Sequence, residues 1–77
     1  MALIRKLDER SLHPTRLHGE VDCGYAIVAI DGEPVVQIET YGSQDRVIPG
    51  KVSQSLQLTR EGAAQLVGVL RRAFPGI

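Results

Sequence analysis

The sequence contains little cysteine and few aromatic residues. Its 77 residues include one cysteine, Cys23, and no tryptophan, and only 4% are aromatic. A single cysteine excludes an intramolecular disulfide, and this composition favours the reducing cytoplasm as the protein's location. A chain of this length forms one domain near the lower size limit for a self-sufficient core. Association of two copies is therefore expected to supply additional buried surface.

An excess of charge and long apolar runs are also missing. Nine basic and nine acidic side chains give a net charge of zero. This balance disfavours a general polyanion binder, so binding to nucleic acid would require a local basic patch. The charged residues Arg5 and Lys6 follow a very short apolar start, and no apolar span of membrane length occurs. We therefore expect neither a signal peptide nor a membrane anchor.

The sequence offers little that indicates an enzyme. The only grouping that resembles a metal site consists of His13, His18, Asp22 and Cys23. Its spacing matches no usual zinc pattern, and nothing near Cys23 indicates an oxyanion hole or an orienting third residue. No phosphate-binding glycine motif and no evident pair of catalytic carboxylates is found. We therefore predict no enzymatic activity, no metal and no cofactor.

Two runs between Val35 and Leu58 alternate apolar and polar side chains, a period of two that is typical of strands with one buried face. The apolar side of these strands is expected to carry Val36, Ile38, Val52, Leu56 and Leu58. The opposite side carries mostly uncharged hydrogen-bonding groups, which favours contact with a polar ligand. The candidate residues on that side are Gln37, Tyr41, Ser53, Ser55 and Gln57.

The preceding segments complete a small sheet. Tyr25–Ile30 is a predicted strand with two apolar faces, and Asp31-Gly32 supplies the positive φ angles of a tight hairpin. Residues 15–24 suit an irregular strand that bends at a glycine. Residues 1–14 are predicted to form an N-terminal arm or a short helix, ahead of a single domain over residues 15–77.

A helix follows the last strand. Thr59 is a predicted N-cap, Glu61 suits the positive end of the helix dipole, and Pro75-Gly76 ends the helix. Its apolar stripe is wider than one small sheet requires, so part of it is predicted to contact a second subunit. The residues assigned to that contact are Leu66, Val69, Leu70, Ala73 and Phe74. The predicted fold is α+β and dimeric, with an antiparallel sheet of three to four strands before one C-terminal helix (β-β-β-β-α). The helix is expected to cover the apolar side of the sheet.

The segment from Tyr25 to Leu70 resembles the single-stranded-DNA-binding domain of the transcriptional positive cofactor four family and its bacterial relatives. The likeness lies in a strand, a glycine turn, a strand ending in Tyr41, a loop closing on Pro49-Gly50-Lys51, a further strand and a capped helix. The resemblance implies a homodimer that binds single strands across its exposed sheet. Lys51 would then be a basic contact and Tyr41 a base-stacking aromatic.

This sequence departs from the family pattern at two aromatic positions. Gly42 stands where a second aromatic residue is expected, and Ile30 or its neighbour stands at the aromatic position near the first hairpin. Stacking is worth about 1–3 kcal/mol per base, so these departures bear directly on affinity.

The leading hypothesis is a non-enzymatic homodimer that binds single-stranded DNA or RNA, as a transcription cofactor does. Lys51, Arg46 and Arg60 are candidates for phosphate contacts, although they equally suit a solvated rim. Tyr41 either stacks on a base or covers the neighbouring strand, and the polar side chains either bind a ligand or pair with each other. The alternative hypothesis is a protein-interaction module on the same fold that has lost nucleic-acid binding.

Overall fold

The computed structural model describes residues 1–42 and 51–77, which form an α+β fold. Strands β1 (Ala2–Ile4), β2 (Cys23–Ile30), β3 (Glu33–Tyr41) and β4 (Val52–Leu58) precede helix α1 (Arg60–Ala73). The strands lie in one sheet in the order β1-β4-β3-β2. β2, β3 and β4 pair antiparallel, whereas β1 pairs parallel to β4. The predicted α+β class and β-β-β-β-α order are confirmed, whereas the sheet is mixed rather than antiparallel because of β1, and the dimer stays a prediction.

The first strand lies in the segment for which an arm or a short helix was predicted. Ala2–Ile4 extends along β4, with Ile4 opposite Leu58. The irregular strand predicted over residues 15–24 is wrong up to Asp22, because strand structure begins only at Cys23. Residues 11–20 are all exposed, so their alternation of apolar and polar side chains has no sheet face to pack on.

The hairpin between β2 and β3 follows the sequence prediction. Asp31 and Gly32 have φ angles of 51° and 79°, as the two central residues of a tight hairpin turn require. Pro34 belongs to β3 and lies opposite Ala29. β3 pairs with β4 only from Val36 onward, so the missing N–H of Pro34 falls outside that ladder.

The two faces of the sheet differ in chemistry. The apolar face consists of Tyr25, Ile27, Val36, Ile38, Leu56 and Leu58, and the polar face of Gln37, Glu39, Tyr41, Ser55 and Gln57. β4 contains a bulge, because Thr40 lies opposite Gln54 while Tyr41 lies opposite Val52. The extra residue shifts the alternation, so Val52 falls on the polar face. The prediction that Val52 shares a face with Leu56 is therefore wrong.

Helix α1 begins and ends as its sequence predicts. The Thr59 hydroxyl accepts a hydrogen bond from the Gly62 N–H at 3.2 Å, which satisfies one donor of the first turn. At the other end, Phe74 caps the helix and Gly76 has a φ of 101°. Arg71 and Arg72 lie in the last turn, where positive charge is favourable.

The helix leaves most of the apolar face open. Its main contact with the sheet is β4, and Leu58, at 7% exposure, is the buried hydrophobic residue of the described chain. Tyr25 and Ile27 on β2 are 79% and 75% exposed. The helix was predicted to pack on the face that carries Val36, Ile38, Leu56 and Leu58. In the structure it packs mainly on β4, where Leu58 is buried and Leu56 is still 39% exposed.

The buried residues of the described chain, which are Leu58, Thr59 and Gly62, lie at the junction of β1, β4 and α1. The Ile4 carbonyl accepts from the Thr59 N–H at 3.2 Å and lies against the buried Gly62, where a Cβ atom would collide with it. The Leu7 N–H donates to Gln65 Oε1 at 2.8 Å, so the start of the chain also contacts the helix. The predicted N-terminal arm is thus docked through residue 7.

Candidate nucleic-acid interface

A ladder of hydrogen bonds crosses the polar face. Gln57 Nε2 donates to Gln37 Oε1 at 2.9 Å, and Gln37 Nε2 donates to Glu39 Oε2 at 2.9 Å. Gln57 and Gln37 are directly opposite each other on β4 and β3, while Glu39 follows two residues along β3. The orientation of both amides follows from Glu39, because an ionised carboxylate only accepts hydrogen bonds. The polar side chains thus pair with each other, as one of the sequence alternatives proposed.

Two depressions flank this ladder, and Gln37 and Glu39 line both of them. The larger, of about 490 Å³, is lined by Met1, Ala2, Leu3, Gln37, Glu39, Val52, Ser55 and Gln57. The smaller, of about 240 Å³, is lined by Gly24, Tyr25, Ala26, Val28, Gln37, Glu39 and Tyr41. The polar face is therefore a ridge of amides and one carboxylate between two shallow concave surfaces.

Tyr41 lies across the neighbouring strand. Its phenol oxygen is 2.8 Å from the position that a Cβ atom on Gly24 would occupy. Gly24 therefore leaves the space into which the Tyr41 ring extends, and the half-buried ring lines the smaller depression. Tyr41 therefore covers its neighbouring strand, which was one of the two interpretations of this residue. Base stacking by Tyr41 stays a prediction.

Lys51 and Tyr41 come together at one corner of the sheet. The Gly42 N–H donates to the Lys51 carbonyl at 3.3 Å, and Val52 follows opposite Tyr41. Lys51 is exposed, as is Ser53 at the bulge of β4. A cation, a hydroxyl and an aromatic residue are therefore present at the end of β4 where the two long strands separate.

Arg60 lies away from this corner. It is the first residue of α1, beyond the opposite end of β4, and a strand of seven residues spans about 20 Å or more. Its neighbour Glu61 accepts hydrogen bonds from its own backbone N–H and from the Thr59 hydroxyl, and these interactions lower its pKa, with Arg5 and Arg60 adding a smaller favourable charge effect. The charge of Arg60 is thus partly balanced, and the structure does not bring it together with Lys51.

Thr59 contacts Ile4 in two ways. The Thr59 N–H donates to the Ile4 carbonyl at 3.2 Å, and the Thr59 hydroxyl lies 3.4 Å from the same carbonyl. The shorter backbone hydrogen bond is the stronger of the two contacts.

The remaining predicted residues occupy other positions. Arg46 lies outside the described residues. Among the residues predicted for the subunit contact, Leu66 and Leu70 are half-buried, and the others, Val69, Ala73 and Phe74, are exposed. The assignment of this stripe to a subunit contact stays a prediction.

Sequence reasoning assigned no role in the site to three contributors to the polar face. Glu39 orients the amide ladder, Gly24 leaves room for Tyr41, and Leu3 lines the larger depression. The alternation in β3 does place Glu39 on the same face as Gln37, but it does not indicate the hydrogen bond between them. The position of Leu3 depends on the parallel pairing of β1 with β4, which no local pattern encodes.

Within residues 1–42 and 51–77, no three His, Cys, Asp or Glu side chains are grouped so that they could hold a metal ion. In the same residues no helix combines the length and apolar character needed to cross a membrane. No protein-family model, curated protein or solved structure matches this chain.

Proposed function

We propose that this chain is a non-enzymatic homodimer that binds single-stranded nucleic acid on the polar face of its sheet. The observation that carries the proposal is the corner at which Lys51 and Tyr41 adjoin a face of hydrogen-bonding side chains. Single strands are bound by aromatic platforms together with cations that follow the phosphates. The polar face offers one aromatic residue, and Lys51 is an exposed cation at the adjoining corner, one residue before Val52.

The amides of the ladder can form hydrogen bonds with the bases of a single strand. Each amide of Gln37 and Gln57 uses one hydrogen in the ladder and keeps a second N–H and a further acceptor lone pair. These groups can pair with the edges of unstacked bases, which is how single strands present hydrogen-bonding groups. Because the amides are already oriented by Glu39, little conformational entropy is lost when a base binds.

The charges indicate a binder of modest affinity. Glu39 repels phosphates from the centre of the face, and the net charge of the chain is zero. Bases would therefore lie over the ladder while phosphates pass near Lys51. Because a single-stranded ligand releases about 0.7 counterions per phosphate contact, a shallow dependence of affinity on salt is expected.

Fluorescence anisotropy with a labelled single-stranded oligonucleotide tests the proposal. At low salt we expect binding at micromolar protein, weaker binding by Lys51→Glu, and a salt slope reduced by about 0.7 for that variant. Lys6→Glu is the matched control, because it makes the same charge change on an exposed lysine that already pairs with Asp8 at 3.4 Å. Equal loss in both variants would indicate bulk electrostatics, and absence of binding by the wild type would overturn the proposal.

A second candidate is a protein-interaction module, which the carboxylate of Glu39 at the centre of the polar face favours. A carboxylate there attracts a basic peptide and opposes a nucleic acid. Glu39→Gln separates the two candidates, since it removes the negative charge while its Oε1 atom can still accept from Gln37. The variant also adds an amide donor, so the direction of the ladder is no longer fixed. Tighter oligonucleotide binding by this variant supports the nucleic-acid proposal. No oligonucleotide binding by either form, with nuclease-resistant capture of a specific protein that Glu39→Gln weakens, supports the alternative.

A further inference from the structure

The outer edge of β2 lacks the features that normally prevent one sheet from pairing with another. Cys23–Ile30 is eight residues long and contains neither a charged residue nor proline. None of the strands in residues 1–42 and 51–77 pairs with this edge, because β2 is the last strand of the sheet order. The opposite edge is formed by β1, which has only three residues. Long, uncharged and exposed edge strands are sites of pairing with another chain.

The hydrogen-bonding groups of this edge can be identified. The Tyr41 N–H donates to the Asp22 carbonyl at 2.9 Å, so Asp22 directs its backbone groups towards β3. Backbone direction alternates along an antiparallel strand, and the pairing of β2 with β3 is regular from Cys23 to Ile30. The N–H and C=O groups of Tyr25 and Ile27 therefore point outward, away from the sheet.

The same two residues have the most exposed large side chains of β2. Tyr25 and Ile27 lie on the apolar face, which α1 leaves uncovered at this end of the sheet. An aromatic residue opposite a β-branched residue is a favourable cross-strand pair. The edge thus combines unpaired backbone groups with exposed apolar side chains. A second strand of the same composition can form hydrogen bonds with the backbone groups and bury the side chains.

The overall dimensions show that one copy is more open than a compact monomer. The chain exposes 6980 Å² and has a radius of gyration of 14.6 Å. A compact monomer of this size would expose about 4,600 Å² and have a radius of gyration of about 11.5 Å. The excess of exposed surface, to which the exposed residues 8–22 also contribute, is larger than the roughly 800 Å² that each partner buries in an interface of standard size.

We propose that two copies join through antiparallel pairing of β2 with β2 of the second copy, which makes one continuous eight-stranded sheet. The two-fold axis passes beside Ala26, so that Ala26 faces its own counterpart and Tyr25 of each copy faces Ile27 of the other. In this register residues that point outward pair with each other, and each face of the sheet continues into the same face of the second copy. The turn at Asp31 and Gly32 lies outside the new ladder.

The inference rests on the dimer in the proposed function and differs from the subunit contact predicted from the helix stripe. Edge pairing keeps the polar faces of the two copies on the same side of one sheet, which extends the proposed binding surface. It leaves Val69 and the rest of the stripe outside the contact between the strands. A subunit contact through β2 and one through the helix stripe therefore predict opposite effects of substitutions in β2 and in α1.

Cross-linking tests the register. Opposed residues that are not hydrogen-bonded have Cα atoms about 4.5 Å apart, which lies within the range of a disulfide. In a Cys23→Ser background, Ala26→Cys is expected to form a covalent dimer on mild oxidation. The wild-type Cys23 is the control, since it is exposed on the same strand but lies about 20 Å from its counterpart in this register. Cross-linking through Cys23, or none through position 26, would overturn the register.

Light scattering combined with sedimentation tests the location of the contact. Ile27→Lys is expected to raise the dimer dissociation constant at least ten-fold, and its fold is readily checked by circular dichroism because Ile27 is exposed. Val69→Lys on α1 is the matched variant and is expected to stay dimeric. A monomeric wild type, or dissociation by Val69→Lys alone, would overturn the inference. Oligonucleotide anisotropy is an independent measurement, so a failure of nucleic-acid binding beside intact cross-linking removes only the proposed function.

Discussion

Replacing Gly62 by alanine tests the packing of β1 against α1. In an exposed helix, glycine to alanine normally stabilises the helix by about 0.5–1 kcal/mol. At Gly62 the new Cβ atom would overlap the Ile4 carbonyl oxygen, which is backbone and cannot rotate away. β1 must therefore shift, and the shift weakens the hydrogen bond from the Thr59 N–H to the Ile4 carbonyl.

The net effect follows from these opposing contributions. Overpacking costs about 1–3 kcal/mol, and loss of one backbone hydrogen bond costs about 1 kcal/mol. After the helix-propensity gain is subtracted, Gly62→Ala is expected to lower the free energy of unfolding by about 1–3 kcal/mol. For a domain of this size, each kcal/mol lowers Tm by about 4–8 °C.

Gly68 in the same helix provides the control. Among the described residues, no atom beyond Gly68, its two neighbours and the adjoining helix backbone lies within 4 Å of the Cβ position at Gly68. Gly68→Ala is therefore expected to raise the free energy of unfolding by about 0.5–1 kcal/mol. Both variants are compared by urea unfolding and thermal melts at one protein concentration, because Tm of a dimer depends on concentration. Equal or greater stability of Gly62→Ala relative to the wild type would refute the docking of Ile4 on the helix.

Three further predictions concern the helix cap and the polar face. Thr59→Ala should lower the free energy of unfolding by about 1–2 kcal/mol, whereas Thr59→Ser should stay close to the wild type in the same denaturation assay. Glu61 has a folded-state pKa below its ordinary 4.5, so its stabilising contribution is present above that pH and is lost as pH falls through the lower folded value. Glu61→Gln should therefore make Tm less dependent on pH across that acidic range, and an unchanged profile would contradict the assignment. Glu39→Gln should tighten oligonucleotide binding at low salt, and weaker binding would contradict the proposed role of the polar face.

Local sequence patterns were sufficient for most of the fold. The Asp31-Gly32 turn, the alternation in β3 and the Thr59 cap each depend on neighbouring residues, and the structure contains all three. The polar side of β3 and the pairing of Gln37 with Gln57 follow from the same alternation once the two strands are adjacent. These features are predictable because their physical causes lie within a few residues.

Non-local contacts account for the features of the structure that the sequence did not predict. β1 forms because Ile4 pairs alongside Leu58, more than fifty residues away, and no periodicity in the first residues indicates that partner. The bulge that moves Val52 to the polar face is a register shift between β3 and β4, which the alternation within β4 alone does not indicate. The width of the apolar stripe on α1 indicated an apolar contact, but it did not specify how little of the sheet the helix would cover.

An NMR titration of isotope-labelled protein with single-stranded oligonucleotide tests directly whether the polar face binds a single strand. We expect shifts in the side-chain amide signals of Gln37 and Gln57 and in the backbone signals of Tyr41 and Lys51. Residues of the apolar face such as Ile27 should show no comparable change at the same ligand ratio. Shifts confined to the apolar face, or no shifts at saturating oligonucleotide, would contradict the claim that the polar face binds a single strand.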